Sequence, residues 1–130
     1  MPKTLYLVRS TQTNNFNEPE IMAKIGRLWQ ESADLFGQGR NVYGVYHQYQ
    51  SNYKGDYTLS VATENPTEQT SALSLPQTEY RVFPTTREQI VQTWQQIWQL
   101  EEAGELQRAY LVDYEQYGTD GQVAIYIGLK

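Results

Sequence analysis

The chain has 130 residues, no cysteine and a single histidine, His47, and its ten basic and fifteen acidic side chains leave a net charge of −5. That length suits one domain, which buries roughly two-thirds of its unfolded surface without a metal or disulfide. The counts exclude disulfides, thiolate zinc sites, cysteine nucleophiles and any site needing two imidazoles from one chain. The basic residues are dispersed from Lys3 to Lys130 rather than gathered in a stripe, so direct binding of DNA or RNA is not expected. What stands out is an aromatic content of 13% beside only 19% charged residues, with eleven Tyr, three Trp and three Phe.

No apolar run approaches the ~20 residues of a membrane helix. Met1-Pro2-Lys3-Thr4 leads straight into a strand-like segment without the basic region, apolar core or cleavage site of a signal peptide, and a cytoplasmic protein with no membrane partner is expected. Both common glycine-rich phosphate cradles are missing. No metal or other cofactor is expected.

Thr4 to Val8 is bulky and apolar and predicts a strand, followed by a polar stretch from Ser10 to Asn17. Asn17-Glu18-Pro19-Glu20 is a helix start, with a capping side chain, a proline in the first turn and carboxylates near the positive end of the dipole. Ile21, Met22, Ile25, Leu28, Trp29, Leu35 and Phe36 recur at helical spacing, and Gly37 and Gly39 end the helix. Asn41 to Gln50 and Tyr57 to Ala62 predict two strands joined by a turn over Asn52 to Asp56. Residues 65–77 carry Pro66 and Pro76 and form the candidate linker. Tyr80 to Phe83 is a further strand. Thr85-Thr86-Arg87-Glu88-Gln89 offers a capping box in either register, and Ile90, Trp94, Ile97, Trp98 and Glu101 form a helical stripe stopped by Gly104. Ala109 to Tyr117, a turn over Gly118 to Gly121, and Gln122 to Leu129 predict a final hairpin.

The order is strand, helix, strand, strand, stated twice. Met22, Ile25, Leu28 and Trp29 correspond to Val91, Trp94, Ile97 and Trp98, and Gly55, Leu59 and Val61 to Gly121, Ile125 and Ile127. The chain is therefore predicted to be one α+β domain, a duplicated βαββ unit with halves at about 1–64 and 78–130. Neither half has a sufficient core, so the two should share one antiparallel sheet with both helices against it and a groove between the halves.

Strand alternation sets Tyr110, Val112 and Tyr114 with Val123, Ile125 and Ile127 on a candidate helix-packed face. The opposite face then carries Leu111, Asp113, Glu115 and Tyr117 with Ala124 and Tyr126, and, from the first half, Tyr43, Val45, His47, Tyr49 and Ser60. Rings beside a carboxylate suit an aromatic, positively charged ligand, each ring over a cation contributing about 0.5–2 kcal/mol. Set against this are plainer readings. Tyr is common in strands for packing reasons, the three Trp sit at core spacing, and His47 reads as a half-exposed strand residue. Asp113 and Glu115, at i and i+2, also fit a two-carboxylate acid/base site.

Val42-Tyr43-Gly44-Val45-Tyr46-His47, then Gly55-Asp56-Tyr57-Thr58-Leu59-Ser60-Val61, is similar to the hairpin of the GyrI-like small-molecule-binding domains, the effector-binding domains of AraC- and MerR-type transcription activators. Leu75-Pro76, Tyr80 to Phe83 and Ile90 to Trp98 resemble that family's next strand and helix. Asp113 to Tyr117 followed by Val123 to Ile127 resembles its final hairpin. The resemblance implies an aromatic groove with a central glutamate that takes lipophilic cationic drugs or dyes, the glutamate falling on Glu115 and the aromatic neighbours on Tyr46, Tyr49, Trp94 and Tyr126, with Phe83 and Tyr117 behind them. A helix-turn-helix domain needs about 50 more residues than remain, so the chain resembles the stand-alone members, some carried on mobile gene cassettes. The expected function is a sensor or sequestering protein for lipophilic cations. Hydrolysis of electrophilic toxins with Glu115 as general base is the alternative, and an acidic surface meeting an unknown protein partner ranks third.

Overall fold

The structure is a computed structural model that describes residues 4–14, 19–36, 39–51, 55–68 and 70–130. Asn17 and Glu18 of the expected helix start, Gly37 of its expected end and residues 52–54 of the first turn lie outside the described residues.

The elements run β1 (Thr4–Thr13), α1 (Ile21–Glu31), a short 3-10 turn (Ala33–Leu35), β2 (Val42–His47), β3 (Tyr57–Thr63), β4 (Ser71–Ser74), β5 (Tyr80–Thr85), α2 (Ile90–Glu102), β6 (Val112–Tyr117) and β7 (Val123–Gly128). All seven strands join one sheet in the order β4-β1-β3-β2-β6-β7-β5, every pairing antiparallel. The two βαββ units meet at the β2–β6 pair, with Gly44 opposite Glu115 at its centre.

β1 runs to Thr13 because its polar half is satisfied laterally. Ser10 to Thr13 pair with Ser60 to Tyr57, the Ser10 and Ser60 hydroxyls lie 2.6 Å apart, and a bulge between Leu7 and Arg9 resets the register. α1 stops at Glu31, short of the predicted Phe36. The Ser32 hydroxyl bonds back to the Leu28 carbonyl at 2.8 Å, its N–H turns to Trp29 O, and Phe36 is extended. α2 ends as the glycine predicts: Gly104 takes φ +77, its N–H bonds Glu101 O, and the Glu105 N–H reaches Leu100 O, a Schellman closure. The segment between the halves contributes β4, which pairs with β1.

β4 and β5 form opposite edges of the sheet, yet only residues 75–79 separate them. In a flat sheet, six strand spacings of about 4.8 Å would hold those edges roughly 29 Å apart. The connection reaches at most roughly 20 Å. The sheet must curl, and its concave side encloses a cluster drawing on every strand: Leu5, Tyr43, Val45, Ala62, Val112 and Tyr114, with Leu73, Tyr80 and Tyr126 against them. The helices cover the other side, one per half. Leu28 of α1 packs on Val42, Tyr57, Leu59 and Val61. Ile97 of α2 packs on Leu106, Ile125 and Ile127. Leu28 and Ile97 hold corresponding positions in the two halves, and each is the buried anchor of its helix.

Candidate functional site

The strand faces differ from the expected phase. Gly118 N–H closes the last hairpin on Gln122 O with Gly121 at φ +85, which sets Tyr117 opposite Val123 and Glu115 opposite Ile125. Asp113, Glu115 and Tyr117 therefore share the helix-covered side with Val123 and Ile125, while Val112 and Tyr114 turn to the concave side. A one-residue slip exchanges the two faces of a strand completely. The same holds in β2, where Gly44 and Tyr46 stand beside Glu115 and Asp113 on the helix side, whereas Tyr43, Val45 and His47 lie on the concave side. Tyr49 escapes its strand's alternation because Gln48 adopts φ +54, which ends β2 and returns Tyr49 to the helix side. His47 is buried rather than half-exposed, its Nε2 within 2.7 Å of the Ser60 hydroxyl and its pKa lowered by burial.

Glu115 is only 3% exposed. The Tyr46 hydroxyl and Trp94 Nε1–H donate to its Oε2 at 2.8 and 2.7 Å, and the Tyr117 hydroxyl donates to Oε1 at 2.6 Å. Three donors from β2, α2 and β6 thus converge on one carboxylate. Burial raises its pKa, the bonds from Tyr117, Trp94 and Tyr46 oppose the rise, and burial prevails. The Tyr46 and Tyr117 hydroxyls are themselves pushed well above their usual value, by burial first and then by the Glu115 charge, so they stay protonated as donors. Gly44 makes the arrangement possible, since a Cβ there would lie 3.0 Å from both Glu115 Oε1 and the Trp29 ring.

Two cavities flank this carboxylate between α1 and α2. The first, about 210 Å³, is lined by Ile21, Met22 and Ile25 of α1, by Val91, Trp94 and Trp98 of α2, and by Tyr46, Tyr49, Tyr57 and Arg108 beneath. Met22 (81% exposed) and Val91 (63% exposed) stand at its rim. Tyr46 meets Trp94 edge to face at 5.2 Å and Tyr57 at 5.6 Å, giving an aromatic floor. The second, about 520 Å³, is lined by Trp29, Phe36, Tyr117, Arg87 and Ile90 among others, and the Arg87 guanidinium sits 4.6 Å over the Phe36 ring. The wall of the first cavity bonds Glu115 Oε2 and the wall of the second bonds Oε1.

Of the residues predicted from sequence, Tyr46, Trp94 and Tyr117 gather on Glu115, and Tyr49 lines the first cavity one step away, donating to Asp113 Oδ2 at 2.6 Å. Phe83 lies on the helix side but within the α2 core, under the Arg81 guanidinium. Tyr126 does not reach Glu115. It stacks on Tyr114 at 4.6 Å on the concave side, because its even phase in β7 opposes that of Ile125. Trp29, Trp98, Tyr57 and Arg108 also line the cavities, although the spacing of the two tryptophans predicts core and that of the other two predicts no site. The correspondence of Trp29 with Trp98 across the two halves was the available signal for both. Nothing in the spacing marked Arg108.

Among the described residues no group of His, Asp and Glu is placed to hold a metal ion, and no helix is long and apolar enough to cross a membrane. The profile of Cass2, a family described as integron-associated effector binding protein, matches residues 2–129. An integron cassette protein from the mobile metagenome of Vibrio cholerae, solved by crystallography, has the same fold, with a TM-score of 0.81 at 23% sequence identity over 98% of this chain and 90% of that one. No curated protein matches significantly.

Proposed function

The chain belongs to the Cass2 family of integron-associated effector binding proteins and so binds small molecules, and from that premise we propose that its ligand is a lipophilic aromatic cation held between α1 and α2 above Glu115. The observation that carries this reading is the buried carboxylate bonded to the aromatic walls of both cavities. A carboxylate out of water is costly unless neutralised or paired. A cation arriving on the Tyr46–Trp94 surface supplies the missing positive charge, and the rings add their quadrupole attraction. The free cavity of about 210 Å³ is below the roughly 300–1,000 Å³ usual for ligand sites, which suits a planar ring system or a groove that widens on binding.

A hydrolytic role for Glu115 draws less support, because Tyr46 and Trp94, not the carboxylate, line the cavity and both carboxylate oxygens already accept bonds. The protein acts, on this reading, by sensing or sequestering its ligand, with no direct nucleic-acid contact.

Thermal unfolding with planar aromatic cations and their neutral isosteres tests the proposal. A cation at a hundred times its Kd stabilises by about 2.7 kcal/mol, and the tryptophan emission of the cavity should quench in parallel. Equal shifts from the neutral isosteres, or none from any cation, would overturn it.

A further inference from the structure

We propose that Arg108 is a specificity-determining residue of the same cavity, selecting ligands that carry a neutral hydrogen-bond acceptor of the carbonyl type beside their cationic aromatic part. The inference rests on the cavity being the ligand site. It adds a second recognition point, remote from the carboxylate of Glu115.

Arg108 is 3% exposed and lines the first cavity. Its Nη2 donates to Asp113 Oδ2 at 2.7 Å, an oxygen that also accepts the Tyr49 hydroxyl, while the Gly128 N–H satisfies Oδ1. Its Nε and Nη1 have no hydrogen-bond acceptor. Nη1 lies 3.6 Å from Glu101 Oε1, an ion-pair separation too long for a hydrogen bond, and that oxygen is unpartnered too. The other Glu101 oxygen accepts the Tyr110 hydroxyl. Buried guanidinium N–H groups without acceptors are costly and uncommon. The arrangement is held in place: the guanidinium lies 4.4 Å over the Tyr110 ring, in a residue at φ +55, and 5.8 Å from the Trp94 ring. Burial opposes the charge, but Asp113 and then Tyr49 outweigh it and keep the group protonated.

The charge balance chooses the acceptor. Asp113 and Glu101 already set two carboxylates against one guanidinium. A ligand carboxylate would add a third negative charge in a region Glu115 also makes negative. A carbonyl or amide oxygen takes the free N–H groups without that repulsion once the guanidinium turns them from their buried position to the cavity it lines. Trp94 touches both recognition points, its Nε1 bonded to Glu115 and its ring beside Arg108, so a fused ring system bearing a cation at one end and a carbonyl at the other spans both.

The test uses matched ligands on the full chain: an aromatic cation, the same cation with a ring carbonyl, the same scaffold with a carboxylate, and the uncharged carbonyl compound. The carbonyl should tighten binding of the cation roughly tenfold, the worth of a hydrogen bond to a charged donor, and the carboxylate should not. Arg108→Lys keeps the ion pair with Asp113 but withdraws Nε and Nη1, so the ratio of carbonyl-cation to parent-cation affinity should fall to about one, whatever the change does to the affinity of both. If the carbonyl brings no advantage, or Arg108→Lys retains it, the inference fails while the cation site stands. If the uncharged carbonyl compound binds as tightly as its cationic partner and both lose affinity in Arg108→Lys, the cation reading fails and Arg108 keeps its role.

Discussion

Replacing Glu115 by Gln removes one buried charge and leaves its shape. The amide oxygen can keep the Tyr46 and Trp94 donors, and the Tyr117 hydroxyl, free to rotate, can accept from the amide nitrogen instead of donating. The variant should therefore fold. A ligand cation seated on the Tyr46 hydroxyl is separated from Oε2 by that 2.8 Å bond plus one further contact, roughly 6–7 Å in all. At an effective dielectric near 20 the interaction is then about 2–3 kcal/mol, and Glu115→Gln should weaken cation binding by roughly 30- to 150-fold. pH supplies an internal control. The cation favours the ionised carboxyl, whose pKa in the empty protein is raised above 4.5 by burial. Wild-type affinity should rise with pH up to that raised value and then level, whereas the Gln variant should stay flat across the range. Isothermal titration of one permanent cation and its neutral isostere, at several pH values, reads all of this. Equal losses for cation and isostere would show that the substitution damaged the shape of the site. An unchanged cation affinity would refute the electrostatic reasoning outright.

Unliganded stability should follow the same group with a definite sign. A carboxyl whose folded pKa is raised contributes stability that is fully present below 4.5 and is lost as pH rises through the folded value, so urea unfolding should show Glu115→Gln gaining on wild type from acid to pH 8. Gly44→Ala should cost about 1–3 kcal/mol, since its methyl meets Glu115 and Trp29 at 3.0 Å, and should shift Trp emission; an unchanged spectrum would show that the indole has room to yield. Arg108→Met leaves the Asp113 carboxylate buried without its cation, so a loss of about 3–5 kcal/mol is expected, with substantial recovery on adding Asp113→Asn; failure of the second change to recover stability would remove the ion pair as the cause. Leu28→Ala and Ile97→Ala should each cost about 2–5 kcal/mol by chemical denaturation, because each side chain is the buried anchor of its helix; a small loss at either would show that half can collapse into the space.

Both helical stripes, the glycine stop at Gly104 and the repeated βαββ plan were legible in the residues, because periodicity and backbone freedom are local properties, whereas β4 was not, its stretch reading as a linker until β1 supplies its partner. Glu115 was legible with three of its aromatic neighbours, through a resemblance carried by short motifs. The polar half of β1 was not legible, since Ser10 to Thr13 become a strand only when β3 supplies partners. The helix-like residues Leu35 and Phe36 were misleading for a similar reason: the stop at Ser32 depends on a side-chain bond that periodicity does not record.

What only the tertiary structure decided was which side of the sheet each strand residue occupies. Gln48, at positive φ, returns Tyr49 to the helix side, and the register of the last hairpin sends Tyr126 to the concave core and Asp113 and Glu115 beneath the helices. Local pattern determines that a residue alternates, but the turn and the pairing partner determine from where the counting starts. Arg108 shows the limit most plainly. A lone arginine in sequence is a solvated surface residue by default, and its place in the cavity exists only because Tyr110 and Asp113 of its own stretch and Trp94 of α2 close around it.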